Sequence, residues 1–338
     1  MKTIEISSAC NVEVKEIESP EMKSDEILLE VKYIGLCGSD LSSYRGLSSM
    51  VKYPVIPGHE IAAVVADMGE KVPKDYAEIG DQATVLPYFA CGGCTSCRKG
   101  RSNACRYNET LGVQRQGALC RFISVPYEHV IICNGISLQN IALIEPLSVG
   151  FHLSNRMDIQ KGENIAVFGC GMIGLGAIAA ASFKGARVLA VDVSGTKLKM
   201  AKTVGAAEGI DADQAAESIL ALTNDDGADA VIECSGAPAA FVNCLNAVSF
   251  SGKMGIISYT TKEVTFNTKP IVSKELNIFG ARNAKKEDFT DVIGMIREGA
   301  IPAETLITKI FDFEEGHKSF EYWDKNASQV TKILIKVT

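Results

Sequence analysis

Residues 164–192 read NIAVFGCGMIGLGAIAAASFKGARVLAVD, and this stretch decides the fold. Asn164–Phe168 is a short apolar run of the length of a buried strand. Gly169-Cys170-Gly171-Met172-Ile173-Gly174 then spaces three glycines as G-x-G-x-x-G, and the Ala-rich segment Ile173–Lys184 is a good helix former. Arg187–Val191 is a second apolar run, closed by Asp192. Strand, glycine turn, helix and strand in this order predict a βαβ unit of a parallel sheet. In that setting the first glycine permits a tight turn and the second lets the backbone approach a pyrophosphate. The third lets helix and strand pack closely. The helix start at Ile173 offers free N–H groups and a positive dipole end to the phosphate. Asp192 stands 18 residues after Gly174, where a carboxylate accepts from the adenosine ribose and repels a 2′-phosphate. NAD is therefore expected over NADP. Lys197 is placed to contact either a ribose or a 2′-phosphate, and Asp192 has a plainer use as the cap of the following helix.

Outward from this unit the same rhythm continues. Asp229–Glu233, Lys253–Ser258 and Glu275–Phe279 read as further strands, with helices over Ser194–Val204 and from about Ala239 to Val248. Toward the N-terminus the pattern changes to alternation, as in ILLEVKYIGL over Ile27–Leu36, with other β-like runs at Ile61–Ala66, Ala83–Tyr88 and Arg121–Val125. After the sheet come a helix over Lys286–Glu298 and a terminal strand, Lys332–Val337. The expected class is α/β: a β-rich domain over 1–147, a doubly wound parallel-sheet domain over 148–282, and a segment 283–338 that returns to the first. A length of 338 residues suits two cores better than one.

Thirty-four basic against 41 acidic residues leave a net charge of −7, which argues against a nucleic-acid partner. No apolar run approaches the ~18 residues of a membrane span, and MKTIEISSACNVEVKEIE lacks the basic-then-apolar order of a signal peptide. A cytoplasmic protein is expected. Among its eleven cysteines, Cys91, Cys94, Cys97 and Cys105 crowd into the lobe 91–105, CGGCTSCRKGRSNAC. Four thiolates at this spacing can close a tetrahedral shell around Zn²⁺ and leave no position for water, which is the form of a structural site. Iron–sulfur ligation is the rival, but the spacing follows neither ferredoxin pattern. Arg98, Lys99, Arg101 and Arg106 read as a solvated face that offsets the tetrathiolate charge.

Three further motifs carry reactive groups: Cys37-Gly38-Ser39-Asp40 after the first clear strand, Gly58-His59-Glu60 after a Pro-flanked turn, and Glu145-Pro146 before the second domain. Cys37 and His59 could bind zinc with a carboxylate as third ligand and a fourth position open.

Taken together, CGSD, GHE, the four-cysteine lobe, GDQATV, G-x-G-x-x-G and IECSG resemble, in order and over essentially the whole chain, the zinc-dependent medium-chain dehydrogenases. ALIEPLSVGFH resembles the polyol and sugar branch, near sorbitol and threonine dehydrogenases. LGVQRQGA and GARNAKKEDF look most like bacterial dehydrogenases of sugar acids such as L-galactonate. The resemblance implies a GroES-like catalytic domain, a Rossmann domain, a small polyol or sugar-acid substrate, and a homo-dimer or homo-tetramer. It also implies one structural and one catalytic zinc, the latter held by Cys37, His59 and either Glu60 or Glu145. Ser39 would relay the alcohol proton, Arg282 would lie close to substrate and nicotinamide, and Ile257 and Ser258 would line the nicotinamide pocket. One departure stands out: Ser42 occupies the position at which many relatives carry a relay histidine, which leaves Tyr44 or ordered water to serve. The competing readings are a threonine 3-dehydrogenase or sorbitol dehydrogenase, a zinc-free quinone reductase, and a non-enzymatic zinc- and nucleotide-binding protein.

Overall fold

The computed structural model describes residues 1–260 and 262–338. It comprises two compact units, one formed by Met1–Glu145 with Ala303–Thr338 and the other by Pro146–Pro302.

In the second unit six parallel strands lie in the order Glu208–Asp211, Arg187–Asp192, Asn164–Phe168, Ala228–Glu233, Val248–Ile256, Asn277–Gly280. In chain order this is 3-2-1-4-5-6, the doubly wound arrangement of dinucleotide-binding sheets. Helices cover both faces, so the central strands are apolar on both; Ile165, Ala166, Val167, Val231 and Ile232 are fully buried. The strand order reverses beside Asn164–Phe168, and the glycine turn leaves the sheet at that switch point. Helix Met172–Phe183 follows it directly.

The expected return at 283 needs correction, because residues 283–302 pack with the second unit. Helix Lys286–Arg297 is fastened there by Asp288, whose carboxylate accepts from His152 Nδ1 at 2.8 Å, Asn155 Nδ2 at 2.8 Å and the Lys285 backbone N–H at 2.8 Å. The chain rejoins the first unit only from Ala303.

The first unit is built on a seven-stranded sheet. Strand Ile307–Asp312 runs parallel to Lys332–Lys336, which pairs antiparallel with Glu26–Leu36. Glu60–Met68, Gln82–Val85 and Val130–Ile132 extend it, while Phe122–Pro126 pairs with the first half of Glu26–Leu36. Ile27, Leu29, Val31, Ile34, Ile61, Ile333 and Ile335 are fully buried, each such side chain contributing about 1.5–3 kcal/mol. An N-terminal hairpin, Lys2–Ser8 with Asn11–Glu16, lays Ile4 and Ile6 on this core. The register is what positions the site: Gly35 lies opposite both Leu334 and Glu60, so the terminal strand and the start of Glu60–Met68 flank the end of Glu26–Leu36. No helix among the described residues is long and apolar enough to cross a membrane.

Candidate functional site

Cys37 directly follows the strand Glu26–Leu36 and caps helix Gly38–Tyr44, its backbone N–H donating to Asp40 Oδ2 at 2.8 Å. His59 and Glu60 follow the Pro57-Gly58 turn, where Gly58 has φ +103°. These elements bring one ligand atom each of Cys37, His59 and Glu60 within 4.8 Å of one another. Glu60 is fully buried and lies over Gly35, where any Cβ would collide with its carboxylate. The Lys332 ammonium, also buried, donates to Glu60 Oε1 at 2.5 Å, Glu60 Oε2 at 2.6 Å and Leu36 O at 2.9 Å. Glu145 stands outside the three-residue cluster but near it, its carboxylate accepting from the Tyr88 hydroxyl.

This is a crowd of acidic groups in a dry place. Burial and the neighbouring Glu60 raise the Glu145 carboxyl above its ordinary range against the pull of His59, and burial raises Asp40 likewise. Burial alone would lower His59, but Cys37, Asp40 and Glu145 around it hold the imidazole well above its usual value. Burial and Glu145 push the Tyr88 phenol up as well. His59 Nδ1, Ser39 Oγ and Asp40 Oδ1 are buried without a hydrogen-bond partner, an unusual concentration of orphaned polar atoms. A soft thiolate, an imidazole and a carboxylate converging on one point, with positive charge in short supply, fit a Zn²⁺ ion.

The four-cysteine lobe fits one as well. Cys94 Sγ lies 3.5 Å from Cys97 Sγ and 3.8 Å from Cys105 Sγ, and Cys105 Sγ lies 3.5 Å from Cys91 Sγ. A tetrahedron with Zn–S bonds of about 2.3 Å has edges of roughly 3.8 Å. Thiolates around a multi-iron cluster would have to stand farther apart. Backbone N–H groups of Cys91 and Tyr107 each reach Cys105 Sγ at 3.3 Å. Those of Cys97 and Arg106 pull the Cys94 thiol down to about 5, whereas burial and the adjacent thiols push Cys97 up to about 12. Four thiolates this close cannot all ionise without a cation between them.

The nucleotide turn follows its motif. Gly169 has φ +99°, Gly171 caps the helix with open space where its Cβ would be, and a Cβ on Gly174 would collide with Gly169 O. Ile173 sits in the helix's first turn, so the open side of the turn can take a pyrophosphate. Asp192 ends strand Arg187–Asp192, and its oxygens accept from the Cys170 N–H at 2.7 Å and the Ser194 N–H at 2.9 Å. Ser194, not Asp192, caps the helix that bears Lys197. Ile257 is buried, and Ser258 Oγ donates to Glu233. Glu233 in turn accepts from the Ser235 N–H at 2.8 Å and the Gly236 N–H at 2.9 Å. Arg282 lies in the second unit just after strand Asn277–Gly280, half-buried. Tyr44, the alternative relay residue, is packed against Phe320 in the core, and Ser42, which stands where many relatives carry a relay histidine, donates its Oγ–H back to Gly38 O at 2.9 Å. Sequence reasoning gave no site role to Lys332 or Tyr88, and Asp40 entered it only as the last residue of the Cys37-Gly38-Ser39-Asp40 motif.

Two family models match: an alcohol dehydrogenase GroES-like domain over residues 23–134 and a zinc-binding dehydrogenase domain over residues 173–298. A zinc-type alcohol dehydrogenase-like protein of Haemophilus influenzae is 34% identical, over 93% of this chain and 92% of its own. The L-galactonate-5-dehydrogenase of Escherichia coli is 32% identical, over 91% and 90%. Among solved structures, an alcohol dehydrogenase from Escherichia coli complexed with NADH superposes with a TM-score of 0.91 over 99% of both chains, at 26% identity. With its GroES-like unit, its Rossmann sheet and two clusters of side chains that could hold a metal ion, the chain belongs to the zinc-dependent medium-chain dehydrogenases and is an NAD(P)-dependent oxidoreductase.

Proposed function

We propose that the chain reversibly oxidises a secondary alcohol of a polyol or sugar acid with NAD, an L-galactonate-like acid being the favoured substrate. The observation that carries this reading is the convergence of Cys37, His59 and Glu60 beside a second buried carboxylate, Glu145. Cys37, His59 and Glu60 would hold a catalytic zinc, with Lys332 gripping Glu60 from behind, and Glu145 is the alternative third ligand. Cys91, Cys94, Cys97 and Cys105 would hold a structural one. When bound, zinc supplies Lewis-acid polarisation of an alcohol oxygen and the nicotinamide supplies a hydride acceptor.

The rest is done by the chain's own groups. Ser39 Oγ, buried and unpartnered among the described residues, would take the proton that the substrate hydroxyl gives up while passing its own on through ordered water toward solvent. The buried surroundings of His59 and Glu60 exclude water from the reacting atoms. Gly169, Gly171, Ile173 and Gly174 would cradle the pyrophosphate, and Ile257, Ser258 and Arg282 would border the nicotinamide. The Asp192 carboxylate keeps lone pairs beyond its two backbone bonds, enough to accept from a ribose hydroxyl, and its charge disfavours a 2′-phosphate. Support for a polyhydroxylated acid comes from the Escherichia coli relative that acts on L-galactonate.

The test is NADH appearance against polyols, sugar acids and L-threonine, repeated with NADP. Turnover of a sugar acid or polyol with NAD preferred is the expected result. Turnover of L-threonine alone would refute the substrate class, equal use of both cofactors would refute the role of Asp192, and NAD binding with no alcohol-dependent NADH would refute the enzyme reading.

A further inference from the structure

Beside the turn that presents His59 lies a groove of about 280 Å³, walled by Lys52 and Val55 on one side and by Glu109, Val113, Gln114 and Arg115 on the other. Its two walls are tied together. Gln116 Oε1 accepts from the Ile56 N–H at 2.6 Å, and Gln116 Nε2 donates to Pro54 O at 3.3 Å. The second wall is also stitched to the His59 turn, through Gly117 N–H to Ile56 O at 2.6 Å, Ala118 N–H to Gly58 O at 2.9 Å and Leu119 N–H to Pro57 O at 3.0 Å. The groove is thus fixed by backbone bonds to the turn that carries His59.

The Arg115 guanidinium is oriented in advance. It lies 4.1 Å from the centre of the Phe89 ring. Phe89 stacks on His129 at 4.2 Å and 11°, and His129 Nδ1 is fixed to Leu86 O at 2.7 Å. Two groups that close to one ring must take opposite faces, so Arg115 is the outer layer of a three-layer stack. Such stacking prepays rotamer entropy in a side chain whose planar fork suits a two-oxygen anion. Its only ion-pair partner among the described residues is Glu109, at a loose 3.8 Å, and Lys52 has none. Two cations and one carboxylate leave the groove at +1. A carboxylate, at −1, balances that charge, whereas a phosphate monoester near −2 overshoots it. The volume falls at or below the low end of whole-ligand pockets, roughly 300–1,000 Å³, so the groove suits one end of a molecule.

We propose that this groove is a carboxylate subsite, in which Arg115 and Lys52 grip the acid end of a substrate whose alcohol lies at the His59 cluster. The alcohol half of that statement rests on the function proposed above; the anion-binding half does not.

The test titrates the zinc- and NADH-loaded protein calorimetrically with L-galactonate, galactitol and galactitol 1-phosphate, and follows NADH formation with the same compounds. L-Galactonate should bind more tightly than galactitol. Arg115→Leu should weaken it about tenfold, a modest factor because half the side chain is open to solvent and screened, while galactitol changes less than about threefold. Arg115→Lys should recover only part of the loss, since the charge returns without the fork. Glu109→Gln should favour the phosphate ester. Equal losses for acid and alditol, no loss for either, or no binding of L-galactonate by the native protein would overturn the subsite. L-Galactonate that binds through Arg115 yet yields no NADH keeps the subsite and overturns the substrate reading. L-Galactonate oxidised with unchanged KM by Arg115→Leu does the reverse.

Discussion

In the lobe all four thiols come from the 15 residues between Cys91 and Cys105 and are steadied by backbone N–H groups a few positions away, whereas Cys37, His59, Glu60 and the Lys332 that grips Glu60 are gathered from distant strands, Glu60 and Lys332 alone being 272 residues apart. The lobe needs only a short loop to close, a small entropic cost. The reactive cluster exists only if three strands pair in the right register, because a one-residue slip of Lys332–Lys336 would turn the Lys332 side chain to the opposite face. The lobe thus resembles a local staple, while the second cluster makes its chemistry depend on completing the whole sheet.

The largest effect should come from the long-range cluster. Cys37→Ala or His59→Ala should lower kcat/KM by on the order of 10³ or more, since several kcal/mol of Lewis-acid stabilisation goes with the metal at about 1.4 kcal/mol per decade. Steady-state kinetics alongside circular dichroism would check it, and the fold should persist because the lobe is untouched. Lys332→Met comes next. In the metal-free protein it leaves the fully buried Glu60 carboxylate without its ion-pair partner, which should cost about 3–5 kcal/mol in a urea titration. Glu60→Gln combined with Lys332→Met should recover much of that, and a simple sum of the two single losses would show that the pair is not coupled.

In the lobe, Cys105→Ser should lower the thermal midpoint by about 5–10 °C, as expected for losing ~2–4 kcal/mol of local stabilisation. Rate per remaining metal ion should stay near that of the native protein; a loss as deep as that of His59→Ala would erase the contrast. The smallest effect concerns a long-range polar pair with no metal, His152 with Asp288. Burial alone would raise the Asp288 carboxyl, but bonds from His152, the Lys285 N–H and Asn155 hold it below its ordinary range. A depressed folded value contributes stability that is complete above the unfolded value near ~4 and is lost as pH falls through the folded one. Asp288→Asn should therefore flatten the acid limb of the stability curve by about 1 kcal/mol, read from urea midpoints at several pH values.

Legibility followed the same divide. Asn164–Phe168, its glycine turn and the helix after it were readable because apolar run, glycines and alanines sit side by side. Strand Glu208–Asp211 was not read, since only Ile210 of its four residues is buried and no apolar run marks it. The hairpin Lys2–Glu16 was missed although Ile4 and Ile6 alternate with polar residues, because alternation that short is common in loops. Lys332 carried one faint signal, a lysine opening the apolar strand KILIK on the same face as Leu334. Nothing in local sequence names its partner Glu60, and the Tyr88–Glu145 contact is equally remote, 57 residues apart. Local sequence does not place the segment 283–302 with the second unit for a related reason: the bonds of Asp288 to His152 and Asn155 span more than 130 residues.

The most direct test of the contrast is graded chelation, with metal content, activity and circular dichroism followed on the same samples. An open site with protein ligands on only some of its positions should yield its ion before a closed tetrathiolate. The prediction is that the native protein carries two zinc ions, that all activity leaves with the first, and that the fold changes only as the second departs. Fully active protein containing a single zinc, or both ions leaving together as the chain unfolds, would contradict it.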